Sequence, residues 1–305
     1  MLIDYLRLIA SIVPFVPFLF RRLVQKIYAF RHHYTYEAVV EPKNVVVVGG
    51  SFAGLPLLRR LVETLPTGYR AVLVEPSSHF NFVFNFPRYS VIRGHEAKAF
   101  IPHDGLAKKA PKGIYKRVQD AVVRITAAPN GGGGEVHLGA SSDEPLPYEY
   151  LVVATGVSQP FPARARSADK AGGCAELRAL QEHITATESV AIIGGGAVGV
   201  ELAADVKSYY PAKKVVLVHS REKLLPRFGG RLHAHVLPAL EKLGVEVVLG
   251  ERPDIGGMNK AWAVSYGPAS LRFQDGREEA FGLVVSRHLL NGWPASLQFM
   301  LPRLT

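Results

Sequence analysis

The 305-residue sequence is nearly devoid of cysteine, and this absence restricts its chemistry. The single cysteine, Cys174, can form neither an internal disulfide nor a redox pair of thiols. Cys174 follows the letters AGG in what we interpret as a loop, where it is an incidental thiol. The histidines His79, His95 and His103 lack the close spacing of metal ligands, so we expect no metal site.

The N-terminal segment lacks a long apolar run and is poor in acidic residues. An apolar block of thirteen residues, interrupted by two prolines, separates Arg7 from Arg21, whereas a transmembrane helix needs roughly 20 apolar residues. Residues 1–36 contain one acid, Asp4, and no glycine follows Met1, which excludes N-myristoylation. We expect the segment to attach to a membrane surface, with the apolar block in the acyl region. The residues expected at lipid headgroups are Arg21, Arg22 and Lys26. The alternatives are a signal or transit peptide, or a segment packed on the protein itself.

The whole chain has few acids relative to bases, with a net charge of +10. Such a charge attracts anionic lipids, anionic cofactors or nucleic acid, and cannot choose among them alone. The basic residues are spread along the chain without a nucleic-acid-binding motif, so we expect no specific nucleic-acid partner. At 48% hydrophobic and 20% charged residues, the chain can bury one large core or two moderate ones.

From residue 44 onward, strands alternate with helices, a pattern typical of a doubly wound α/β fold. NVVVVGG predicts a strand, LPLLRRLVETL its crossover helix and RAVLVEP a second strand. Residues 117–139 predict a small insertion of two antiparallel strands, RVQDAVVRITAA and EVHLGA, around the loop PNGGGG. YEYLVVATG predicts a further buried strand that ends at a glycine.

The strand, glycine turn and helix then occur a second time, in SVAIIGGGAVGVELAADV followed by the strand KKVVLVHS. The two turns lie 194 − 49 = 145 residues apart. In such a unit the first glycine permits the tight turn, the second admits a pyrophosphate and the third lets helix and strand pack closely. One copy alone could be a turn that binds no nucleotide. Two copies in one chain favour two nucleotide sites.

The two turns differ at the second glycine. The three positions hold Gly49, Ser51 and Gly54 in the first copy and Gly194, Gly196 and Gly199 in the second. Ser51 places a Cβ and a hydroxyl where bare backbone is usual, either donating to a phosphate or pushing it outward. Pro56 lies early in the first helix, at a position we place just beyond those where a missing N–H costs nothing.

The tips of the second strands predict different nucleotides. Glu75, 26 residues after the first glycine, can accept hydrogen bonds from a ribose diol. The equivalent tip in the second copy reads His219, Ser220 and Arg221, with no acid to repel a 2′-phosphate. We expect this second site to accept NADPH. The alternative is a solvated turn in which Arg221 contacts nothing.

Five segments together resemble a known family of flavoproteins: VVVVGGSFAG, HFNFVFNFPRYSVIRGHEAKAFIP, YEYLVVATG, SVAIIGGGAVGVELAADVKSYYPAKKVVLVHS and LEKLGVEVVLGER. Over residues 44–285 the chain is similar to the apoptosis-inducing-factor-like and ferroptosis-suppressor-type FAD-dependent NAD(P)H:quinone oxidoreductases, of the pyridine nucleotide-disulfide oxidoreductase superfamily. The resemblance implies two Rossmann-like domains, the FAD domain being interrupted by the NAD(P) domain. It also implies hydride transfer from NAD(P)H to flavin and electron transfer to a quinone-like acceptor; with one cysteine, the electrons do not leave through a disulfide.

The resemblance also assigns site residues. Those implied to bind FAD are Gly49, Gly50, Ser51, Phe52, Ala53, Gly54, Glu75, Arg88, Val118, Ala154, Thr155 and Gly156. Those implied to bind NAD(P) are Gly194, Gly196, Gly199, His219, Ser220 and Arg221. Lys98 and Glu201 look like the family's catalytic pair beside the isoalloxazine, where Lys98 would stabilise the reduced flavin. Glu201 could also be a carboxylate stabilised by a helix N-terminus.

We therefore expect four parts: a membrane-associating segment at 1–36, an FAD-binding part at 43–160, an NAD(P)-binding domain at 161–285 and an aberrant tail at 286–305. The tail lacks the "GD" segment of the family, so we expect an incomplete chain that binds NAD(P)H weakly and retains little FAD. We expect membrane association on the cytosolic side or in mitochondria. A catalytically impaired NAD(P)-binding protein is the alternative function.

Overall fold

The computed structural model describes residues 13–108, 110–128, 132–139, 144–157, 161–255 and 264–286. These residues form two compact units. The first contains residues 13–76 and 103–156, and the second contains residues 77–102 and 157–286. Both units contain a mainly parallel sheet with helices, which confirms the predicted α/β class.

The strands of the described residues are, in chain order, β1 (Lys43–Val48), β2 (Tyr69–Val74), β3 (His79–Asn81), β4 (Phe100–Pro102), β5 (Tyr115–Val118), β6 (Val122–Ala127), β7 (Gly134–Leu138), β8 (Leu146–Tyr148), β9 (Tyr150–Val153), β10 (Ser189–Ile193), β11 (Lys214–His219), β12 (Glu246–Leu249), β13 (Val264–Arg272) and β14 (Glu278–Ser286). The α-helices are α1 (Val16–Thr35), α2 (Gly54–Thr64), α3 (Phe86–Tyr89), α4 (Asp104–Ala107), α5 (Lys170–Ala186), α6 (Ala197–Tyr209) and α7 (Gly230–Leu243). Short 3₁₀ turns lie at Val13–Phe15, Val83–Asn85 and Glu96–Ala99.

The first unit is built around a parallel sheet in the order β5-β2-β1-β9. The valines of β1 are buried on both faces, because alternate side chains of a strand point to opposite sides. Val46 and Val48 pack against the antiparallel sheet β6-β7-β8, whereas Val47 packs against Leu58 and Val62 of α2. The predicted strand, helix and antiparallel insertion are therefore confirmed, with β8 as an additional strand.

Two sequence interpretations of this unit are corrected. The segment read as one strand, RVQDAVVRITAA, is two: β5 joins the parallel sheet, and only β6 pairs with β7. The strand in YEYLVVATG, β9, was expected to be buried, yet Tyr150 and Val153 are exposed. The reason is its position, since β9 lies at the edge of the described sheet and is covered less than the central β1.

The second unit contains a sheet in the order β12-β11-β10-β14-β13, in which only β13 is antiparallel to its neighbour. Val190 and Ile192 of β10 face a core that includes Leu202 of α6, while Ala191 faces a smaller core around Phe281. The repeated strand, turn and helix predicted from the sequence are thus present as β10, α6 and β11.

Residues 77–102 pack in the second unit, although the predicted boundary placed them in the first. Phe86 and Phe100 are almost fully buried and join the core formed by Leu177 and Leu180 of α5. The backbone N–H of Ser78 also donates to the carbonyl of Ala168 at 2.8 Å. The assignment of the two units to FAD and NAD(P) stays a prediction.

Cys174 lies in helix α5, and its interpretation as a loop residue is wrong. The carboxylate of Asp169 caps the helix by accepting from the N–H of Gly172 at 2.8 Å, and this bond starts the helix through the AGG letters. Gly173 leaves room for the ring of Phe100. Burial raises the pKa of the Cys174 thiol above its ordinary value.

The N-terminal helix α1 packs against α2 in the first unit. The His32 Nε2 atom lies 2.7 Å from the carbonyl oxygen of Leu65, and the Tyr36 hydroxyl donates to the carbonyl of Tyr69 at 2.9 Å. Among the described residues, no helix has the length and apolar character needed to span a bilayer. The start of the predicted apolar block, to residue 12, and the predicted tail from residue 287 lie outside the described residues.

Candidate nucleotide-binding sites

The first glycine turn connects β1 to α2 and leaves no room for side chains at its key positions. Gly49 has φ +104°, and a Cβ on it would lie 2.5 Å from the carbonyl oxygen of Ala154. A Cβ on Gly54 would overlap the carbonyl oxygen of Gly49, far inside the 3.0 Å below which such atoms essentially never approach. Both positions therefore require glycine, one for the turn and one for helix–strand contact.

The second turn, between β10 and α6, repeats this geometry. Gly194 has φ +127°, and a Cβ on Gly199 would overlap the carbonyl oxygen of Gly194. Each turn is also fixed to the neighbouring strand, because Gly49 donates to Val74 at 2.9 Å and Gly194 donates to Val218 at 2.8 Å. The internal repeat predicted from the sequence is thus a repeat of backbone structure.

The two turns differ at their second position, which is Ser51 in the first turn and Gly196 in the second. Helix α6 begins at Ala197, directly after its cap Gly196, whereas α2 begins at Gly54. The first turn is already helical at Ser51, whose carbonyl accepts from the N–H of Leu55 at 2.9 Å. The regular helix begins only at Gly54, because Pro56 has no N–H with which to continue the backbone hydrogen bonds that start at Leu55. Because these hydrogen bonds already begin with Leu55, Pro56 lies just beyond the positions where a missing N–H costs nothing, as expected from the sequence.

Neither helix start is capped by a side chain. The cap residues Ala53 and Gly196 make no side-chain capping hydrogen bond. The first-turn N–H groups of a helix have no partner within the helix, and most helices satisfy one of them with a Ser, Thr, Asp or Asn side chain. An anion is the other common partner, helped by the positive end of the helix dipole.

The residues predicted to bind FAD in the first unit lie together at the carboxyl ends of the parallel strands. Gly49–Gly54 follow β1, Glu75 follows β2, Val118 ends β5, and Ala154–Gly156 follow β9. Backbone hydrogen bonds join these ends: Glu75 donates to Val118 at 3.1 Å and Ala154 donates to Val48 at 2.8 Å. Arg88 is the exception, since it belongs to the second unit.

Glu75 and a histidine flank the first turn. The Glu75 carboxylate accepts from the N–H of Gly50 at 2.7 Å. A Cβ on Gly50 would lie 3.0 Å from the His103 ring and 3.3 Å from Cγ of Glu75, so both side chains lie directly against this glycine. His103 is buried and was not predicted as a site residue. No sequence pattern links residues 50 and 103, because the contact forms only when the chain returns to the first unit.

A cleft of about 740 Å³ lies at the carboxyl ends of β10 and β11 in the second unit. The predicted residues Gly194, Gly196, His219, Ser220 and Arg221 line it. Two further arginines, not predicted, also line it, namely Arg227 and Arg252, together with the acid Glu251. The cleft therefore has the position and the mainly basic rim expected for an anionic dinucleotide.

The buried side chain of His219 packs against the second glycine turn. A Cβ on Gly195 would lie 2.7 Å from Cγ of the His219 ring, so the ring covers the turn from the side of β11. Burial, and then the nearby charge of Arg221, lower the pKa of His219, while a backbone interaction at Lys223 opposes them. His219 is therefore neutral in the folded protein at neutral pH.

The predicted pairing of Lys98 with Glu201 is not formed among the described residues. Lys98 is exposed on the turn Glu96–Ala99. Glu201 is half-buried in α6, and its pKa is raised by burial and then by Asp205, against the lowering effect of Arg88.

Arg88 instead pairs with Asp205. The Arg88 Nη2 lies 2.8 Å from Oδ1 of Asp205, and Nε lies 3.3 Å from Oδ2. Asp205 is buried, so Arg88 compensates a desolvated carboxylate and links α3 to α6. A motif can carry over residue types, but which acid a lysine or arginine contacts depends on packing.

The sequence profile of the pyridine nucleotide-disulphide oxidoreductase family matches residues 43–286. Fe-regulated protein 8 of Mycosarcoma maydis is 35% identical over an alignment of 254 residues that covers 78% of this chain and 62% of that protein. Ferroptosis suppressor protein 1 of Homo sapiens is 29% identical over 222 residues, covering 68% of this chain and 52% of that protein. The chain thus spans between 52% and 62% of these two relatives.

Solved structures show the same fold at low sequence identity. NDH2 from Plasmodium falciparum in complex with NADH has a TM-score of 0.58 and 13% identity, covering 85% of this chain and 57% of that one. The ferredoxin reductase of Rhodopseudomonas palustris has a TM-score of 0.59 and 18% identity, covering 80% and 58%. These likenesses confirm the predicted Rossmann-like α/β fold.

Proposed function

The chain belongs to the pyridine nucleotide-disulphide oxidoreductase family, and from this membership we propose that it is an FAD-dependent oxidoreductase that uses NAD(P)H to reduce a quinone-like acceptor. The observation that carries the proposal is the duplicated turn. Gly49 and Gly54 in one unit, and Gly194 and Gly199 in the other, hold the same close helix–strand contact beside an uncapped helix start. Two such turns are what an enzyme needs to bind two dinucleotides.

The residues of the first unit fit the ADP half of FAD. The turn presents backbone and a helix start without a side-chain cap to a pyrophosphate, and Glu75 stands at the adjacent strand end where a ribose diol is accepted. Val118, Ala154, Thr155 and Gly156 would form the rest of the rim. FAD, when bound, would accept a hydride and pass its two electrons on.

The residues of the second unit fit NAD(P)H. The uncapped start of α6 would hold the pyrophosphate, and the 740 Å³ cleft offers Ser220 and Arg221 to the adenosine ribose. Arg227 and Arg252 add positive charge to the same rim. The half-buried Glu201 lies in the helix that begins at this turn, and burial and then Asp205 raise its pKa, which favours a role in holding a proton there.

The quinone-like acceptor rests on the sequence resemblance. The only cysteine of this chain, Cys174, is buried in helix α5, so no thiol pair within the chain can receive the electrons. A second candidate function is NAD(P) binding without flavin turnover. It is favoured by Ser51 in the first turn and by the exposed position of Lys98, which was expected beside Glu201.

The absorbance spectrum of the purified chain distinguishes the two candidates. Because we expect the chain to retain little FAD on purification, FAD is added before the spectrum is recorded. We then expect flavin bands that NADPH bleaches in the absence of oxygen. A quinone added next should restore the bands. Saturable NADPH binding without any flavin would instead support the second candidate, and binding of neither nucleotide would contradict both.

Coenzyme choice is tested by Ser220→Glu. A carboxylate at the rim repels the 2′-phosphate of NADPH, whereas it can accept hydrogen bonds from the ribose diol of NADH. We therefore expect the affinity for NADPH to fall about 30-fold or more and the affinity for NADH to change less than about threefold. Titration calorimetry with both coenzymes measures the ratio. Ser208→Glu, an exposed position outside the cleft lining, is the matched control. Equal losses for both coenzymes would show that Ser220 does not read the 2′ position.

A further inference from the structure

Helix α1 presents a continuous apolar stripe to solvent. The stripe follows the three- and four-residue spacing of one helix face. Its residues are Val16, Leu19, Phe20, Leu23, Ile27, Phe30 and Tyr34, each between 55% and 72% exposed. At about 1.5 Å per residue the stripe runs for about 27 Å, nearly the whole helix. This is far more exposed apolar surface than a helix of a soluble domain normally leaves uncovered.

The first unit contacts the opposite face of this helix. Val24, Ala29 and His32 are the half-buried residues of α1, and the His32 ring nitrogen lies 2.7 Å from the carbonyl oxygen of Leu65. At about 100° per residue, the centre of this docked face lies roughly 180° from Leu23 at the centre of the stripe. The contact that holds α1 on the first unit therefore turns the stripe outward.

The charges of α1 complement an anionic surface. Arg22 and Lys26 border the stripe on one side and Arg31 borders it on the other, by the same helical spacing. Arg21 adds a fourth cation, and no Asp or Glu lies between Val16 and Thr35. Arg22 also lies over the ring of Phe18, 5.7 Å from its centroid. An apolar stripe flanked by cations is the pattern of helices that lie in the headgroup region of a bilayer.

We propose that the stripe of α1 binds the surface of an anionic lipid bilayer, with the helix axis parallel to the membrane plane. A second copy of the chain is a poor occupant, because two helices of four cations each would face one another. A spanning orientation would place Arg21, Arg22 and Lys26 in the hydrocarbon interior, which is costly for charged side chains. Since α1 packs on α2, and α2 begins at the first glycine turn, this attachment holds the first nucleotide unit at the lipid surface.

The proposal extends the sequence prediction in one respect. The apolar block between Arg7 and Arg21 was expected to carry the attachment, whereas the stripe continues beyond it through Ile27, Phe30 and Tyr34. These later residues belong to the half of the helix that is fixed to the first unit. The orientation of that unit on the membrane is therefore set by the fold.

The test is vesicle binding of the full chain and of two variants that add the same charge to the same helix. Ile27→Glu places a carboxylate on the stripe, and Gln25→Glu places one on an exposed position outside it. With vesicles containing about 30% phosphatidylserine, we expect Ile27→Glu to lower the partition coefficient about 50-fold or more and Gln25→Glu to lower it about fivefold at most. Neutral phosphatidylcholine vesicles should bind the wild-type chain at least about tenfold more weakly.

A third variant, Phe20→Trp, reports where the stripe lies. We expect a blue-shifted emission with anionic vesicles and quenching by brominated acyl chains, beyond the changes in the wild-type chain. Equal losses for Ile27→Glu and Gln25→Glu, or no quenching at residue 20, would overturn the proposal. A lipid-independent dimer that Ile27→Glu dissociates would assign the stripe to a second copy instead. Circular dichroism checks that all three variants keep the wild-type melting temperature, as expected at exposed positions.

Discussion

Replacing Gly199 with alanine should abolish NAD(P)H binding at the second turn and leave FAD binding at the first turn in place. The added methyl would overlap the carbonyl oxygen of Gly194, a backbone atom that has no rotamer through which to move away. Helix α6 would have to separate from β10, which displaces the N–H groups at its start. Losing two hydrogen bonds to a charged phosphate, at about 1.5–3 kcal/mol each, lowers affinity at least about 100-fold.

The same substitution should destabilise the second unit. Overpacking against backbone at a position this close costs about 3 kcal/mol or more in the free energy of unfolding. Gly230→Ala is the matched control, since a Cβ there meets no atom within 4 Å. Calorimetric titration with NADPH and thermal unfolding followed by circular dichroism measure both effects. An affinity for NADPH within about threefold of wild type would contradict the prediction.

The turns themselves were predictable because their causes are local. A run of valines ending at a glycine fixes a buried strand, and the spacing of five residues from Gly49 to Gly54, or from Gly194 to Gly199, fixes where the helix meets it. Every one of these four glycines occupies a position where the structure excludes a side chain or requires a positive φ. Local backbone geometry of this kind is encoded within about ten residues.

The neighbours of each site were less predictable because they come from distant segments. His103 reaches Gly50 after the chain has passed through the second unit, and Arg252 reaches the cleft from the loop after β12. Arg227 lies only six residues from Arg221, but its contribution depends on the turn that follows β11. None of these contacts leaves a period or a motif in a single sequence.

Cys174 shows the same limit within a helix. Two glycines before it favour a loop by propensity, since each costs roughly 1 kcal/mol relative to alanine in a helix interior. The structure overrides this preference with a side-chain cap from Asp169 and with the ring of Phe100 packed against Gly173. Phe100 is distant in sequence, so the helix could be inferred only once residues 77–102 were known to pack in this unit.

Replacing Gly54 with alanine should produce the complementary result, loss of FAD binding with NAD(P)H binding retained. The new methyl would overlap the carbonyl oxygen of Gly49, and Gly49 is itself confined, because a Cβ on it would lie 2.5 Å from the Ala154 carbonyl. The turn therefore has β9 on one side and α2 on the other. We expect FAD affinity to fall at least about 100-fold and the first unit to lose about 3 kcal/mol or more in its free energy of unfolding.

The control for this variant is Gly105→Ala, in the same unit, where a Cβ meets no atom within 4 Å. Quenching of FAD fluorescence on titration with protein gives the affinity, and NADPH calorimetry on the same samples shows whether the second site survives. If Gly54→Ala weakened both nucleotides equally, the two turns would not act as separate sites. If it left FAD affinity unchanged, the first turn would not hold the pyrophosphate, and only the second of the two similar turns would be a candidate nucleotide site.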